Sequence, residues 1–262
     1  MEEVMRLLLI FLFMLPAFAV VKAGIHTEMV TYKQGDAVLE GFLAYDDAIA
    51  GKRPGVLVIH AWRGLGEYEK MRATKLAELG YVAFALDMYG KGVRPKTSEE
   101  AAAQATIYRS ERALMRARAQ AGLDQLKGND FVDISKTAAI GYCFGGGAAL
   151  ELARSGADLD GVVSFHGNLD TPNPADAQNI KAEILVCAGG SDPHVPATQR
   201  EAFQKEMTDA DVNWQMNIYG GAVHSFTDPA AGNNPSTGSA YNKQADMRSW
   251  RAMQDFFNEI FK

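Results

Sequence analysis

Ala138-Ala139-Ile140-Gly141-Tyr142-Cys143-Phe144-Gly145-Gly146-Gly147 is the stretch on which the fold turns. It starts as a short continuous apolar run, the pattern of a strand covered on both faces, and passes without a linker into helix-forming residues. The reading is a buried strand entering a helix, with Cys143 at the corner in the spacing G-x-C-x-G. In the serine version of such an elbow the nucleophile occupies a strained turn. Small residues two positions to either side then let strand and helix approach without a Cβ clash, and Gly141 and Gly145 meet that need. The turn also sets Cys143 at a helix N-terminus, where the positive dipole end favours thiolate over the free thiol of pKa about 8.5. A short glycine pattern can equally be a plain tight turn or a phosphate cradle, but no Lys-Ser or Lys-Thr follows to meet a phosphate.

Outward from the elbow, apolar runs of the same kind recur at residues 55–60, 81–88, 161–166 and 182–188, with a last strand predicted at 212–219. Helical patterns fall between or after them at 68–79, 98–126, 144–153, 197–207 and 243–261, and alternation of this kind implies parallel crossovers. Ser98-Glu99-Glu100 supplies a cap and an acidic first turn for the long helix, and Gly128 ends it. Ahead of these, residues 26–34 and 38–45 alternate apolar and polar around Gly35-Asp36, the signature of an antiparallel hairpin. The expected class is α/β: a doubly wound, mostly parallel sheet opened by an antiparallel hairpin, helices on both faces, function at the carboxyl ends of the strands.

A cysteine elbow needs a base within reach and a third group to fix the imidazole tautomer. Asp192 follows the strand at 182–188 through Gly189-Gly190-Ser191, and His224 follows the last strand through Gly220-Gly221-Ala222-Val223. Taken singly, Gly-Ser-Asp-Pro is an ordinary turn and a lone histidine an ordinary structural residue. Jointly they end successive strands in the chain order nucleophile, acid, histidine, which is the order of α/β-hydrolases. The oxyanion hole would use the backbone N–H of Phe144 and of Trp62, although Ala61-Trp62-Arg63-Gly64 also reads as a plain strand-to-helix connection with a core or rim aromatic. His60 and His166 read as packing residues beneath the site, His194 as a turn residue and His26 as the start of the first strand. No H-x-x-x-H or C-x-x-C pair occurs, so neither zinc nor another cofactor is expected.

The 262 residues are 47% hydrophobic, enough for one domain with a sizeable core, expected over residues 24–262. A formal charge of -6 without a basic stripe excludes an electrostatic grip on nucleic acid. Residues 7–21 are apolar apart from Pro16, shorter than the roughly 20 residues of a spanning helix. With Arg6 before them and Ala17-Phe18-Ala19 or Val21-Lys22-Ala23 after, residues 1–23 read as a signal peptide, which predicts a periplasmic or secreted protein. An uncleaved anchor is the alternative, Glu2 and Glu3 weakening the charge, and no other membrane contact is expected. Cys187 lies inside a buried strand and is read as a small hydrophobe, not a disulfide partner of Cys143.

The chain resembles the dienelactone hydrolase family through Val58-Ile59-His60-Ala61-Trp62-Arg63-Gly64-Leu65, Asp87-Met88-Tyr89-Gly90, Gly141-Tyr142-Cys143-Phe144-Gly145-Gly146, Gly190-Ser191-Asp192-Pro193 and Gly221-Ala222-Val223-His224-Ser225-Phe226. The resemblance implies an α/β-hydrolase fold, a Cys143–Asp192–His224 triad and hydrolysis of a small ester or lactone, with Arg63, Tyr89 and Phe226 as substrate contacts. Three positions depart from the family members that act on dienelactone: Ala61 stands where they carry a glutamate near the thiol, and Lys91 and Asp228 where they carry arginines. The expected substrate therefore differs from dienelactone, and the thiolate is expected to form without a substrate trigger. The residues admit three other readings. A glutaminase would have glutamate two residues after its histidine, where Phe226 stands; a non-catalytic hydrolase-fold binding protein and a thiol redox enzyme are the others.

Overall fold

The structure is a computed structural model that describes residues 24–262; the signal peptide read at residues 1–23 lies outside the described residues. Strands β1 (Ile25–Gln34) and β2 (Ala37–Asp46) form the expected hairpin, with Gln34 opposite Ala37 across the turn and Gly35 at φ 55°, a left-handed conformation that glycine adopts without strain. Six further strands follow: β3 (Arg53–Ile59), β4 (Val82–Ala85), β5 (Val132–Tyr142), β6 (Gly161–Phe165), β7 (Glu183–Gly189) and β8 (Trp214–Tyr219). The sheet order is β1-β2-β4-β3-β5-β6-β7-β8, antiparallel through β2 and β4 and parallel from there to β8. Each parallel step is closed by a crossover, as the alternation predicts.

Helices cover both faces. Along β3, Leu57 and Ile59 enter one core layer while Val56 and Val58 enter the other, the period-2 consequence of a strand with no solvent side. The first layer is filled from α3 (Arg112–Lys127), α4 (Phe144–Arg154) and α5 (Ala197–Asp209) by Met115, Ala119, Leu123, Ala149, Leu152 and Phe203. The second takes Ala73 and Leu76 from α1 (Glu67–Glu78) and Met253 and Phe257 from α6 (Lys243–Ile260). The leucine, methionine and phenylalanine side chains among them each stabilise the fold by about 1.5–3 kcal/mol over their exposed state.

The sequence predicts one helix over 98–126; the structure has two, α2 (Ser98–Ser110) and α3, separated at Glu111 with φ −108° and ψ 69°. No glycine or proline marks the break. Instead the Ser110 hydroxyl donates to the carbonyls of Thr106 and Ile107, and Arg109 and Arg112 on either side reach Asn168 and Asp170 of one loop. The bend buries Tyr108 against Tyr89 and Phe144 while α3 lies along the sheet. Among the described residues no helix is long and apolar enough to cross a membrane.

Candidate active site

At the carboxyl end of β5 the chain turns into α4 at Cys143, whose φ of 54° and ψ of −117° lie outside the helical and extended regions. The turn is possible because α4 packs on β3 and β5 at van der Waals limits: a Cβ on Gly145 would lie 2.2 Å from the Ile59 carbonyl oxygen, a backbone atom that cannot swing aside. The same strain aims the side chain of Cys143 outward at the strand ends, where β7 and β8 deliver the other two residues.

Cys143 Sγ stands 3.0 Å from His224 Nε2, and His224 Nδ1 stands 2.8 Å from Asp192 Oδ2. The second oxygen of Asp192 accepts the backbone N–H of His194 at 2.8 Å, so the carboxylate is oriented from both sides. His224 is itself clamped, its N–H donating to Gly238 and its carbonyl accepting from Ala240. Burial works against the thiolate, but the neighbouring His224 charge and the Phe144 N–H outweigh it and hold the Cys143 thiol below its ordinary value. Burial likewise opposes a charged imidazole, and the Cys143 sulfur together with Asp192 raises His224 above its ordinary value. The two shifts share one cause, the 3.0 Å approach of Sγ and Nε2, which favours the thiolate–imidazolium form.

His166 completes the nucleophile's surroundings. The Cys143 N–H donates to its Nδ1 at 3.2 Å, so Nε2 carries the proton and donates to Thr227 Oγ1 at 2.7 Å. Thr227 in turn contacts the Tyr68 hydroxyl at 2.6 Å, and Arg72 binds Tyr68, the Thr227 carbonyl and Asp246. Burial, then the charges of His224 and Arg72, push His166 well below its ordinary value. It stays neutral 5.3 Å from the catalytic-site ring, where a second cation would disfavour the imidazolium.

The cavity in front of Cys143 has a volume of about 700 Å³ and a mixed wall that includes Trp62, Arg63, Lys70, Arg94, His166 and Asp228. Arg63 lines this cavity, its guanidinium over the Trp62 ring and bonded to Ser98. Tyr89 and Phe226, expected as substrate contacts, stand behind the wall. The Tyr89 hydroxyl donates to the Trp62 carbonyl at 2.9 Å, and Phe226 is fully buried against His166 and Tyr219. The family segments that carry both residues put them near the site but say nothing of which side of the wall they face. Lys91 also points away, paired with Glu40, whereas Arg94 reaches the cavity, as does Lys70, which the sequence did not single out. Among the described residues no cluster of three or more His, Cys, Asp or Glu side chains could hold a metal.

Both cysteines are free thiols, and burial pushes Cys187 up to about 12. The opposite shifts predict selective labelling. Because the Cys143 pKa is lowered, its thiolate persists as pH falls through the free-thiol value of about 8.5 and is lost only below it. Iodoacetamide alkylation at Cys143 should keep its rate below that value while Cys187 stays unmodified. A rate halved near the free-thiol value contradicts the ion pair.

Comparison with known proteins points one way. The dienelactone hydrolase family model matches residues 39–261. A dienelactone hydrolase-like promiscuous phosphotriesterase from metagenomic libraries, known by crystal structure, is 42% identical and superposes with a TM-score of 0.86, over 90% of this chain and 98% of that one. An uncharacterized protein of Caenorhabditis elegans is 36% identical over 154 residues, 56% of this chain and 94% of its own. A Saccharolobus solfataricus protein named "Putative carboxymethylenebutenolidase" is 26% identical over 271 residues, 89% of this chain and 98% of its own.

Proposed function

The chain belongs to the dienelactone hydrolase family, hydrolases of ester and lactone bonds, and from that premise we propose that it cleaves its substrate through a Cys143–Asp192–His224 triad and a thioester intermediate. The observation that carries the reading is the pair of distances, 3.0 Å from Sγ to Nε2 and 2.8 Å from Nδ1 to Oδ2, at a nucleophile held in a strained elbow. Geometry of this kind converts a bimolecular attack into a nearly unimolecular one.

The thiolate of Cys143 adds to the carbonyl carbon, and the oxyanion accepts hydrogen bonds from the backbone N–H groups of Phe144 and Trp62. In the hydrogen-bond network neither of these has a protein acceptor other than Sγ itself. Each such donor contributes about 10²–10³-fold to kcat. That addition forms the C–S bond; collapse of the tetrahedral intermediate restores the C=O and breaks the C–O bond, and the leaving alkoxide takes the proton on His224 Nε2. In a lactone the ring opens and both products of this step stay on the enzyme as one hydroxyacyl chain. His224, now neutral, takes a proton from water; the hydroxide adds to the thioester, and the carboxylic acid leaves as the thiolate–imidazolium pair returns. Asp192 holds the Nδ1–H tautomer throughout.

Asp228 in the cavity wall supports a substrate other than a carboxylated lactone, because an acidic side chain there disfavours a second carboxylate. Export through residues 1–23 remains part of this proposal. The deciding experiment incubates the enzyme with a panel of activated esters and lactones, quenches in acid and digests for mass spectrometry. An acyl mass on the peptide containing Cys143 is expected, and turnover with no acyl mass on Cys143, even under rapid quench with a slow acyl group, would refute the thioester route.

A further inference from the structure

Glu69 is a buried carboxylate that the mechanism above leaves without a role. It lies in the first turn of α1, beside the cavity, and has no cationic partner among the described residues. Oε2 accepts the Gly66 N–H at 3.0 Å, which is half of an ordinary capping box at the start of a helix. Capping requires nothing more. The second oxygen, Oε1, instead reaches back to the Ala61 N–H at 3.1 Å, eight residues away, so one carboxylate closes both ends of the loop between β3 and α1.

That loop carries Trp62, and its polar atoms are held one by one. The Ala61 carbonyl accepts from His60 Nδ1 at 2.6 Å and from the Gly64 N–H at 3.1 Å. His60 can donate there because its Nε2 accepts the Met88 N–H, and burial lowers its pKa to about 4, leaving it neutral. The Trp62 carbonyl is held by the Tyr89 hydroxyl. Around the Ala61–Trp62 peptide, only the Trp62 N–H is left without an acceptor among the described residues. In a planar trans peptide the C=O and N–H point opposite ways, so anchoring the Ala61 carbonyl fixes the direction of the Trp62 N–H. What remains is the freedom of the loop to tilt as a body, and Glu69 removes it at both ends.

We infer that Glu69 is a positioning residue of the esterase reaction, holding the loop of residues 61–66 so that the Trp62 N–H meets the oxyanion. The inference rests on the proposed thiolate mechanism. Isolated buried carboxylates are costly, and burial raises this one above its ordinary value while the two N–H donors counteract that rise. A side chain serving only as a helix cap would be as effective exposed to water.

The test compares wild type with Glu69→Ala, Glu69→Gln and the control Glu78→Gln, an exposed residue of the same helix. Three readings are taken: kcat and KM for an activated ester, the rate at which iodoacetamide alkylates Cys143, and amide hydrogen exchange at Ala61 and Gly66. Alkylation at sulfur builds no oxyanion and needs no loop. Glu69→Ala should lower kcat by about 10²-fold with little change in KM, the size expected for one oxyanion donor. It should also speed exchange at both amides, leaving the alkylation rate at the wild-type value. Glu69→Gln, which keeps one acceptor and turns an NH₂ toward the other N–H, should fall between. Parallel loss of alkylation and turnover assigns Glu69 to general folding and overturns the inference, as does faster exchange with kcat unchanged. Wild type without Cys143-dependent turnover would instead overturn the mechanism beneath it.

Discussion

Cys143→Ala is expected to lower kcat on any ester or lactone the enzyme accepts by on the order of 10⁴-fold or more, while the protein stays folded. The size follows from what remains. Without sulfur, His224 still has Asp192 at 2.8 Å and could assist a water, and the two backbone donors still face the carbonyl. That residue of catalysis is worth only about 10³–10⁴ over water in triad enzymes that have lost a member. The substitution removes one atom from a side chain that is 7% exposed, and alanine has no functional group to ionise, so the effect is chemical and not a loss of core. The measurement is steady-state turnover beside a circular-dichroism melt. A variant retaining more than a tenth of wild-type kcat would show that His224 activates water directly and that Cys143 is not the nucleophile.

Gly141→Ala carries the largest expected effect on stability. A Cβ on Gly141 would lie 2.0 Å from the Gly145 carbonyl oxygen and 2.2 Å from its carbon, both in the first turn of α4. Real contacts of that kind do not occur, and no rotamer relieves them, because backbone meets backbone. Either α4 moves off β5 or β5 unpairs from β3, its neighbour through Ile59 opposite Gly141. Overpacking in a core costs typically 1–3 kcal/mol when side chains can yield. Here they cannot, so a loss of at least ~3 kcal/mol is expected, a fall in Tm of roughly 10 °C for a domain of this size. Turnover should vanish with it, since the elbow angle at Cys143 depends on the same contact. A melt within a degree or two of wild type would mean that the strand and helix are less tightly apposed than these distances state.

Much of this site was legible in the linear sequence for a local reason. Cys143 follows β5 directly, and Asp192 and His224 follow β7 and β8 through short glycine-bearing turns, so strand ends and glycines locate them without knowledge of their partners. The supporting residues have no such signal. Glu69 looks like any acidic first-turn residue of a helix, and its role depends on one oxygen reaching Ala61. Arg72 and Asp246 are 174 positions apart, and His166 and Thr227 are 61 apart, so nothing in either neighbourhood announces the other. Tyr89 and Phe226 stand in segments that carry the family resemblance, but the loop after β4 and the turn after β8 put their side chains behind the wall. The break at Glu111 belongs to the same class, since it depends on Asn168 and Asp170 holding Arg109 and Arg112 from another loop.

By itself, then, the order of apolar runs, helical stretches and glycines determined the parallel sheet, the elbow at Cys143 and the identity of the two residues that serve it, because periodicity and close backbone approach are properties of neighbouring residues. Only the tertiary structure decided what lines the cavity and what braces the oxyanion loop, because hydrogen bonds and burial are made between segments whose meeting depends on how the whole sheet twists and packs.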